Sequence, residues 1–248
     1  MCENQTEGVA VRDRCAENYV ATVVGSRGAY WPRAQTGLVS QALRLASGRL
    51  QIYDAGSGVG TYALEIAKRY PNAQLLCVDF SARSIGVLVR EAKTCMLKNV
   101  TPLVANVITY QPEPNAFDRA MCNEVLQHLP RHESRLEALR HIYMGLRKGG
   151  VLVTTNYRWG GFIRAPTPKN EHEHAGLKFT RHAFTETELQ DLLEEAGFRR
   201  VVSYGIIRLP IRFRRLVPIR AATALERFLI GTKRNMDSAQ FVLAVGEK

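Results

Sequence analysis

Long apolar runs are missing from this sequence: none approaches the roughly 18 uninterrupted residues that crossing a bilayer takes. The opening MCENQTEGVA also lacks the basic start and apolar stretch of a secretory signal, so the expected location is cytoplasmic. Cysteine is sparse. Cys2, Cys15, Cys77, Cys95 and Cys122 are scattered, odd in number and without a CxxC pair, which argues against a disulfide framework or a cysteine zinc site. Cys77 and Cys122 fall inside apolar runs, where a free thiol behaves as a small buried hydrophobe. Acid is scarce relative to base, with 23 Asp plus Glu against 34 Lys plus Arg and a net charge of +11 over 248 residues. No internal repeat or low-complexity tract appears. At 46% hydrophobic and 23% charged, the chain has enough apolar residues for a packed core and too little charge for disorder.

From about residue 50, apolar runs of strand length alternate with segments of helical period, the pattern of an α/β protein with a mostly parallel sheet. Seven strands are expected: 50–54, 74–79, 101–106, 117–122, 151–156, 200–204 and 241–245. Between them, Ile85, Leu88, Val89, Ala92 and Met96 predict one helical face, and Leu136, Leu139, Ile142, Tyr143 and Leu146 another. Gly149 and Gly150 read as the stop of the second helix. Thr185 with Glu188 reads as a capping box, and Phe184 with Leu189 as its staple, before a helix ending at Gly197. Residues 1–48 read as an N-terminal helical cap, with a helical pattern over 34–46, and residues 49–248 as the main domain. Residues 158–180 read as a long loop of the kind that shapes binding sites.

The most informative stretch is Tyr53-Asp54-Ala55-Gly56-Ser57-Gly58-Val59-Gly60-Thr61, between an expected strand and an expected helix. Gly56, Gly58 and Gly60 allow a sharp turn and a close approach to a ligand at the carboxyl end of the first strand, where open α/β sheets bind ligands. The next strand ends in Asp79, whose carboxylate can accept both hydroxyls of a ribose. Together these features specify a nucleoside-type ligand. A nicotinamide dehydrogenase would space its glycines as GxGxxG to admit a pyrophosphate, whereas the spacing here is GxGxG.

At these positions the chain resembles the class I methyltransferases that use S-adenosylmethionine. Tyr53 to Gly60 is similar to the family's first motif, Val78-Asp79-Phe80-Ser81 to its second, and Phe117-Asp118 through Asn123-Glu124-Val125-Leu126-Gln127-His128-Leu129-Pro130 to its fourth-strand motif. Leu146 to Val153, Phe184 to Phe198 and Phe241 to Gly246 extend the likeness to the end of the chain. The resemblance implies a Rossmann-like, seven-stranded, mostly parallel sheet with helices on both faces. It implies S-adenosylmethionine as cofactor and S-adenosylhomocysteine as product. Carried over by position, it implies that Gly56, Ser57, Gly58 and Gly60 surround the methionine portion, with Asp54 orienting their loop. Asp79 would hold the ribose and Phe80 the adenine face. Asn106, where many members have Asp, would bond the adenine amine beside Val107, and Asn123 would lie near the methionine amine. Arg33, by charge alone, is a candidate for the methionine carboxylate.

Methyl transfer from a sulfonium is an in-line displacement in which the protein chiefly positions the acceptor and keeps water out. An amine acceptor needs a free lone pair; a hydroxyl gains from a general base. His128 is the leading base candidate, because an unperturbed imidazole titrates near neutrality, at about 6.5; a structural or cofactor-side role competes with it, and Glu124 is the weaker alternative. Tyr19, Tyr30, Trp31, Tyr157, Trp159 and His182 are candidate walls of an acceptor pocket. His172 and His174 flank Glu173 without a placeable third ligand, so they read as a solvated loop and no metal is expected. Between 208 and 234, basic residues interleave with apolar ones. A solvated face, an anionic lipid surface or an acidic partner such as RNA would each suit them, and no RNA-recognition module accompanies them. The reading is methyl transfer to an O or N atom of a small organic acceptor. RNA methylation and a silent cofactor-binding scaffold are the alternatives, and nothing in the pattern speaks to oligomeric state.

Overall fold

A computed structural model describes residues 16, 30–45, 48–159, 169–174, 177–207, 218, 221, 224–226, 228 and 239–248; for 30–33, 169–174 and 177–180 it describes the backbone alone. Of the expected acceptor walls Tyr19 lies outside these residues, as do the side chains of Tyr30, Trp31 and Arg33 and nearly all of the basic 208–234 segment.

The sheet's order follows from where the apolar strands can be buried. α1 (Tyr30–Ala42) precedes β1 (Gln51–Ala55), α2 (Thr61–Arg69), β2 (Gln74–Asp79), α3 (Ala82–Thr94) and β3 (Val100–Val104). Then come β4 (Phe117–Asn123), a 3-10 turn (Leu126–His128), α4 (His132–Gly145) and β5 (Leu146–Tyr157). β6 (Lys169–His174), β7 (Leu177–His182), α5 (Glu186–Glu195), β8 (Arg199–Ile206) and β9 (Phe241–Glu247) complete the described elements. Seven strands form one sheet in the order β3-β2-β1-β4-β5-β9-β8, parallel from β3 to β5 with β9 antiparallel to both neighbours. The order reverses between β1 and β4, which opens a crevice above their carboxyl ends, the place where such sheets bind ligands.

Alternation along each strand divides the core. Ile52, Val151, Val153, Phe241 and Leu243 face one layer with α1, α2 and α3. Tyr53, Leu152, Val242 and Ala244 face the other with α4 and α5. Two-sided burial of this kind makes parallel strands read as continuous apolar runs. α1 is part of this core, since Ala34, Leu38, Val39 and Leu43 are buried in the same cluster as β1.

Three sequence expectations need correction. In α3 the buried residues are Ser84, Ile85, Val87, Leu88 and Ala92, while Val89 and Met96 are exposed. At 100° per residue, position 89 rotates off the stripe, and the helix ends at Thr94, two residues before Met96. Gly149 and Gly150 do not stop α4, which ends at Gly145, where a Cβ would press on Pro112; they lie inside β5 instead. The Gly149 N–H donates to the Lys248 carbonyl at 2.8 Å, tying β5 to the end of β9. The third correction is the 158–180 loop: β6 and β7 pair antiparallel from Lys169↔His182 to His174↔Leu177, so this connection carries a hairpin.

α5 follows its signals at both ends. Thr185 Oγ1 accepts from the Glu188 N–H at 3.1 Å, and the Glu188 carboxylate accepts in return from Thr185's backbone. Phe184 and Leu189 are fully buried in one cluster. At the far end, Gly197 N–H bonds the Glu194 carbonyl and Phe198 N–H the Leu193 carbonyl, a Schellman motif with Gly197 at φ +104°.

Candidate active site

The glycine loop leaves β1 by bonding to the next strand. Gly56 and Ser57 N–H groups donate to the Val78 carbonyl at 2.7 and 2.9 Å, and Gly60 N–H donates to the Ser57 carbonyl at 2.9 Å. Gly56 has φ +82°, and a Cβ there would run into the Val125 side chain, so both backbone and packing demand glycine. Gly58 differs: its φ is +55°, yet nothing stands within 4 Å of a Cβ, so its face is open to a ligand.

Asp79 binds this loop directly. Its Oδ2 accepts from Gly58 N–H at 2.8 Å and its Oδ1 from Ser81 N–H at 3.0 Å. These bonds hold the carboxylate at the end of β2. Phe80 beside it is exposed, an apolar face next to a buried charge. Asn106 follows β3, its Oδ1 accepting from Ile108 N–H at 3.0 Å while Val107 is buried. The expected adenine contact therefore has to share an acceptor that already closes a turn.

The end of β4 holds the densest polar chemistry. Asn123 Oδ1 accepts from Thr155 Oγ1 at 3.1 Å, and Thr155 Oγ1 accepts from Gln35 Nε2 at 3.0 Å, so α1, β5 and β4 share one buried chain of hydrogen bonds. Asn123 Nδ2 and Gln35 Oε1 have no partner among the described residues, nor do Asp54 Oδ2 and Ser57 Oγ. All four atoms are buried, and leaving such groups unpaired costs about 1–3 kcal/mol each. Their accumulation around one crevice marks where a polar ligand belongs. Glu124 takes a left-handed φ of +59°, its N–H bonded to the Thr155 carbonyl at 2.7 Å, and its Oε1 accepts from Tyr62 Oη at 3.1 Å. Burial, with Asp79's charge added, pushes the Asp54 carboxyl well above the usual carboxylate range. Burial and Asp54 likewise push up the Cys122 thiol, which keeps it an inert core group.

His128 ends the 3-10 turn, with its Nε2 3.3 Å from Gln127 Nε2; Gln127 Oε1 accepts from Tyr157 N–H at 2.7 Å. β7 packs against this turn. Tyr157 is half-buried and tilted on Phe241 with centroids 4.6 Å apart, and the Arg181 guanidinium lies over its ring at 4.3 Å. Trp159 is exposed, whereas His182 is buried with Nε2 2.6 Å from Glu188 Oε1. No cluster of three metal-ligating side chains occurs among the described residues.

Asp54, the glycine loop, Asp79, Phe80, Asn106, Val107, Asn123 and His128 thus follow from the carboxyl ends of four adjacent parallel strands, β1 to β4. Gln35, Tyr62 and Thr155 were not anticipated. Their signals are weak but real: Gln35 occupies a core position in step with Leu38, Val39 and Ala42 on α1, and Thr154-Thr155-Asn156 interrupts the apolar run of β5.

A doubly wound sheet with its order reversed at a glycine turn, and an acidic residue ending the second strand, defines a Rossmann-like nucleotide-cofactor fold. Residues 52–150 match the family described as methyltransferase domain. Over these residues the chain is similar to the class I S-adenosylmethionine-dependent methyltransferases. It is 29% identical over 133 residues to (S)-coclaurine N-methyltransferase of Thalictrum flavum subsp. glaucum, covering 54% of this chain and 35% of that protein. It is 32% identical over 121 residues to trans-aconitate 2-methyltransferase of Afipia carboxidovorans, covering 49% and 43%. The chain therefore spans less than half of these two curated relatives. Among solved structures, Haemonchus contortus phosphoethanolamine N-methyltransferase 2 in complex with S-adenosyl-L-methionine superposes with a TM-score of 0.60 at 17% identity, covering 86% of this chain and 52% of that one. That likeness is one of fold. No helix among the described residues is long and apolar enough to cross a membrane.

Proposed function

We propose that this protein is an S-adenosylmethionine-dependent methyltransferase acting on an O or N atom of a small organic acceptor. One observation carries the reading: buried atoms of Gln35, Asp54, Ser57 and Asn123 without a partner among the described residues lie at or beside the ends of β1 and β4, next to a glycine loop bonded to Asp79. The donor set fits the cofactor. Asp79 accepts ribose hydroxyls, Phe80 offers a face to adenine, and Gly58 admits the ligand against backbone. Asp54 and Gln35 Oε1 supply acceptors for the methionine amine, and Asn123 Nδ2 and Ser57 Oγ supply donors for its carboxylate. S-adenosylmethionine, when bound, supplies a sulfonium-activated methyl group. The chain's own task is to align the acceptor about 3–3.5 Å from that carbon and exclude water. His128, next to the crevice on a turn covered by β7, takes the proton of a hydroxyl acceptor; an amine needs only its lone pair.

The first relatives' names support a small acceptor and include both an amine and a carboxylic acid. The RNA alternative has a likeness to ribosomal RNA small subunit methyltransferase G of Haemophilus influenzae, 31% identical over 99 residues, and the basic 208–234 segment, nearly all of it outside the described residues; contact with an anionic lipid surface has that segment alone.

Calorimetric titration with S-adenosylmethionine, S-adenosylhomocysteine and NAD tests the cofactor half of this reading. Micromolar binding of the first two and none of NAD is expected; binding of NAD alone would sink it. Transfer of labelled methyl to coclaurine, trans-aconitate or bulk RNA tests the other half, and label entering RNA alone would replace the small-acceptor reading. For His128, the expected effect of His128→Ala on an O-acceptor is a fall in kcat of about 10²–10⁴ with unchanged cofactor affinity; unchanged kcat discards the role.

A further inference from the structure

Away from the glycine loop, buried charge concentrates at one seam, where the end of β5, the end of β7 and the first turn of α5 meet. Residues 157–159 and 184 are laced together there. Phe184 N–H donates to the Tyr157 carbonyl at 2.8 Å, and Trp159 N–H donates to the Phe184 carbonyl at 2.9 Å. Arg158 is buried, with Nε 2.5 Å from Glu186 Oε1, and its Nη1 has no hydrogen-bond partner among the described residues. His182 is buried too. Its Nε2 lies 2.6 Å from Glu188 Oε1, and its Nδ1 has no partner among the described residues. The Arg135 guanidinium lies over the Phe184 ring at 5.3 Å, where the His182 ring also packs edge-on at 4.6 Å. Arg181, stacked on Tyr157, adds a third guanidinium.

One guanidinium and one imidazole therefore pair with two carboxylates, and two further guanidiniums stack on the neighbouring rings. Ion pairing to α5 accounts for Arg158 Nε and His182 Nε2 and leaves Arg158 Nη1 and His182 Nδ1 buried and unused, an arrangement that normally has an explanation beyond packing. The seam adjoins the methyl-transfer side of the crevice. Tyr157, one residue before Arg158, bonds Gln127, which touches His128, and β7, which carries His182, packs on the same turn.

We propose that Arg158 and His182 form an anion-binding subsite of the acceptor pocket, and that the acceptor is a small molecule carrying a free carboxylate. The inference rests on the methyltransferase reading and narrows its substrate class. Arg158 donates from Nη1. His182 in its imidazolium form donates from Nδ1, because Nε2–H is already given to Glu188. Each donor suits a carboxylate oxygen. A dianionic phosphate would meet stronger repulsion from Glu186 and Glu188, so the seam favours a single carboxylate group of the acceptor over a phosphate.

The test is calorimetric titration of the full chain with trans-aconitate and with its uncharged trimethyl ester, each with and without saturating S-adenosylhomocysteine. The acid is expected to bind and the ester not. Arg158→Gln should weaken the acid about tenfold or more, as loss of a charge-assisted bond does. Arg158→Lys should fall between, and Glu186→Gln, by removing a competing carboxylate, should tighten binding about threefold. Thermal melts of each variant separate loss of folding from loss of binding, and Glu186→Gln gives the readout that a purely structural pair would not. Equal binding of acid and ester, no binding of the acid, unchanged affinity in Arg158→Gln or weaker affinity in Glu186→Gln would each overturn the subsite. Inorganic phosphate binding more tightly than trans-aconitate would overturn the choice of carboxylate. Failure of S-adenosylhomocysteine to bind would instead count against the methyltransferase reading, while the titration without it still decides the subsite.

Discussion

The half of the crevice built by residues 52–107 and the half built by residues 157–207 solve the same problem by different means. In the first, the groups proposed to face the ligand come from backbone turns a few residues long: Gly56 to Gly60 between β1 and α2, and Phe80 and Ser81 between β2 and α3. In the second, the proposed contacts are side chains, Arg158 and His182, held in place by ion pairs to Glu186 and Glu188. The match to the methyltransferase domain family ends at residue 150, before the second half begins. A backbone cradle suits a constant cofactor, since few residues satisfy its φ values. Side-chain recognition can vary without disturbing the sheet, which suits the acceptor.

The sharpest way to break this contrast is at the glycines. Gly56→Val combines a left-handed backbone with a collision on Val125, and should cost about 2–5 kcal/mol in urea denaturation. Gly58→Ala has the backbone strain without the collision and should cost about 1–2 kcal/mol; equal losses at the two positions would mean that the open face of Gly58 is not open.

Asp79→Ala comes next. It removes the acceptor shared by the loop and the ribose, and S-adenosylhomocysteine affinity should fall about 100-fold by calorimetry, about 3 kcal/mol. An unaltered affinity would detach the carboxylate from the site. Gln35→Ala probes whether α1 belongs to the cofactor half. Loss of one buried hydrogen bond and one ligand contact predicts about a three- to tenfold weaker affinity, and no change would confine Gln35 to packing.

The smallest effect concerns pH. Asp54's folded-state pKa is raised by burial and by Asp79, so the folded chain favours the protonated acid. Its contribution to stability is full below the ordinary carboxylate range and is lost as pH rises through the raised value. Asp54→Asn should therefore melt higher than the parent at pH 7, by about 2–4 °C for each kcal/mol relieved, with the gap closing near pH 4. A gap that widens on acidification would reverse the assignment.

How much of this was legible varies by region. β2 matches its expected bounds of 74–79, and the other sheet strands lie within a few residues of theirs, because two-sided burial writes strands as apolar runs. α5 was legible at both ends through Thr185, Glu188 and Gly197, whose roles are local. Gly149 and Gly150 misled because a glycine pair after an apolar helix looks like its stop, while α4 ends at Gly145 and the pair lies inside β5. The hairpin of β6 and β7 escaped because a polar stretch such as Lys169 to His174 shows no alternation of apolar residues. Gln35 and Arg158 escaped for a shared reason: each is a polar residue whose partners, Thr155 and Glu186, lie far along the chain.

By itself the sequence determined the alternation of strand and helix, the glycine turn, and Asp79 at the end of the second strand. These depend on contacts within a few residues and on periodicities that any buried parallel sheet imposes. Only the tertiary structure decided that Gln35 joins Asn123 through Thr155, that Asp54 is buried beside a second carboxylate, and that Arg158 and His182 meet at one seam. Such juxtapositions are set by how strands order and helices dock, which no local spacing encodes.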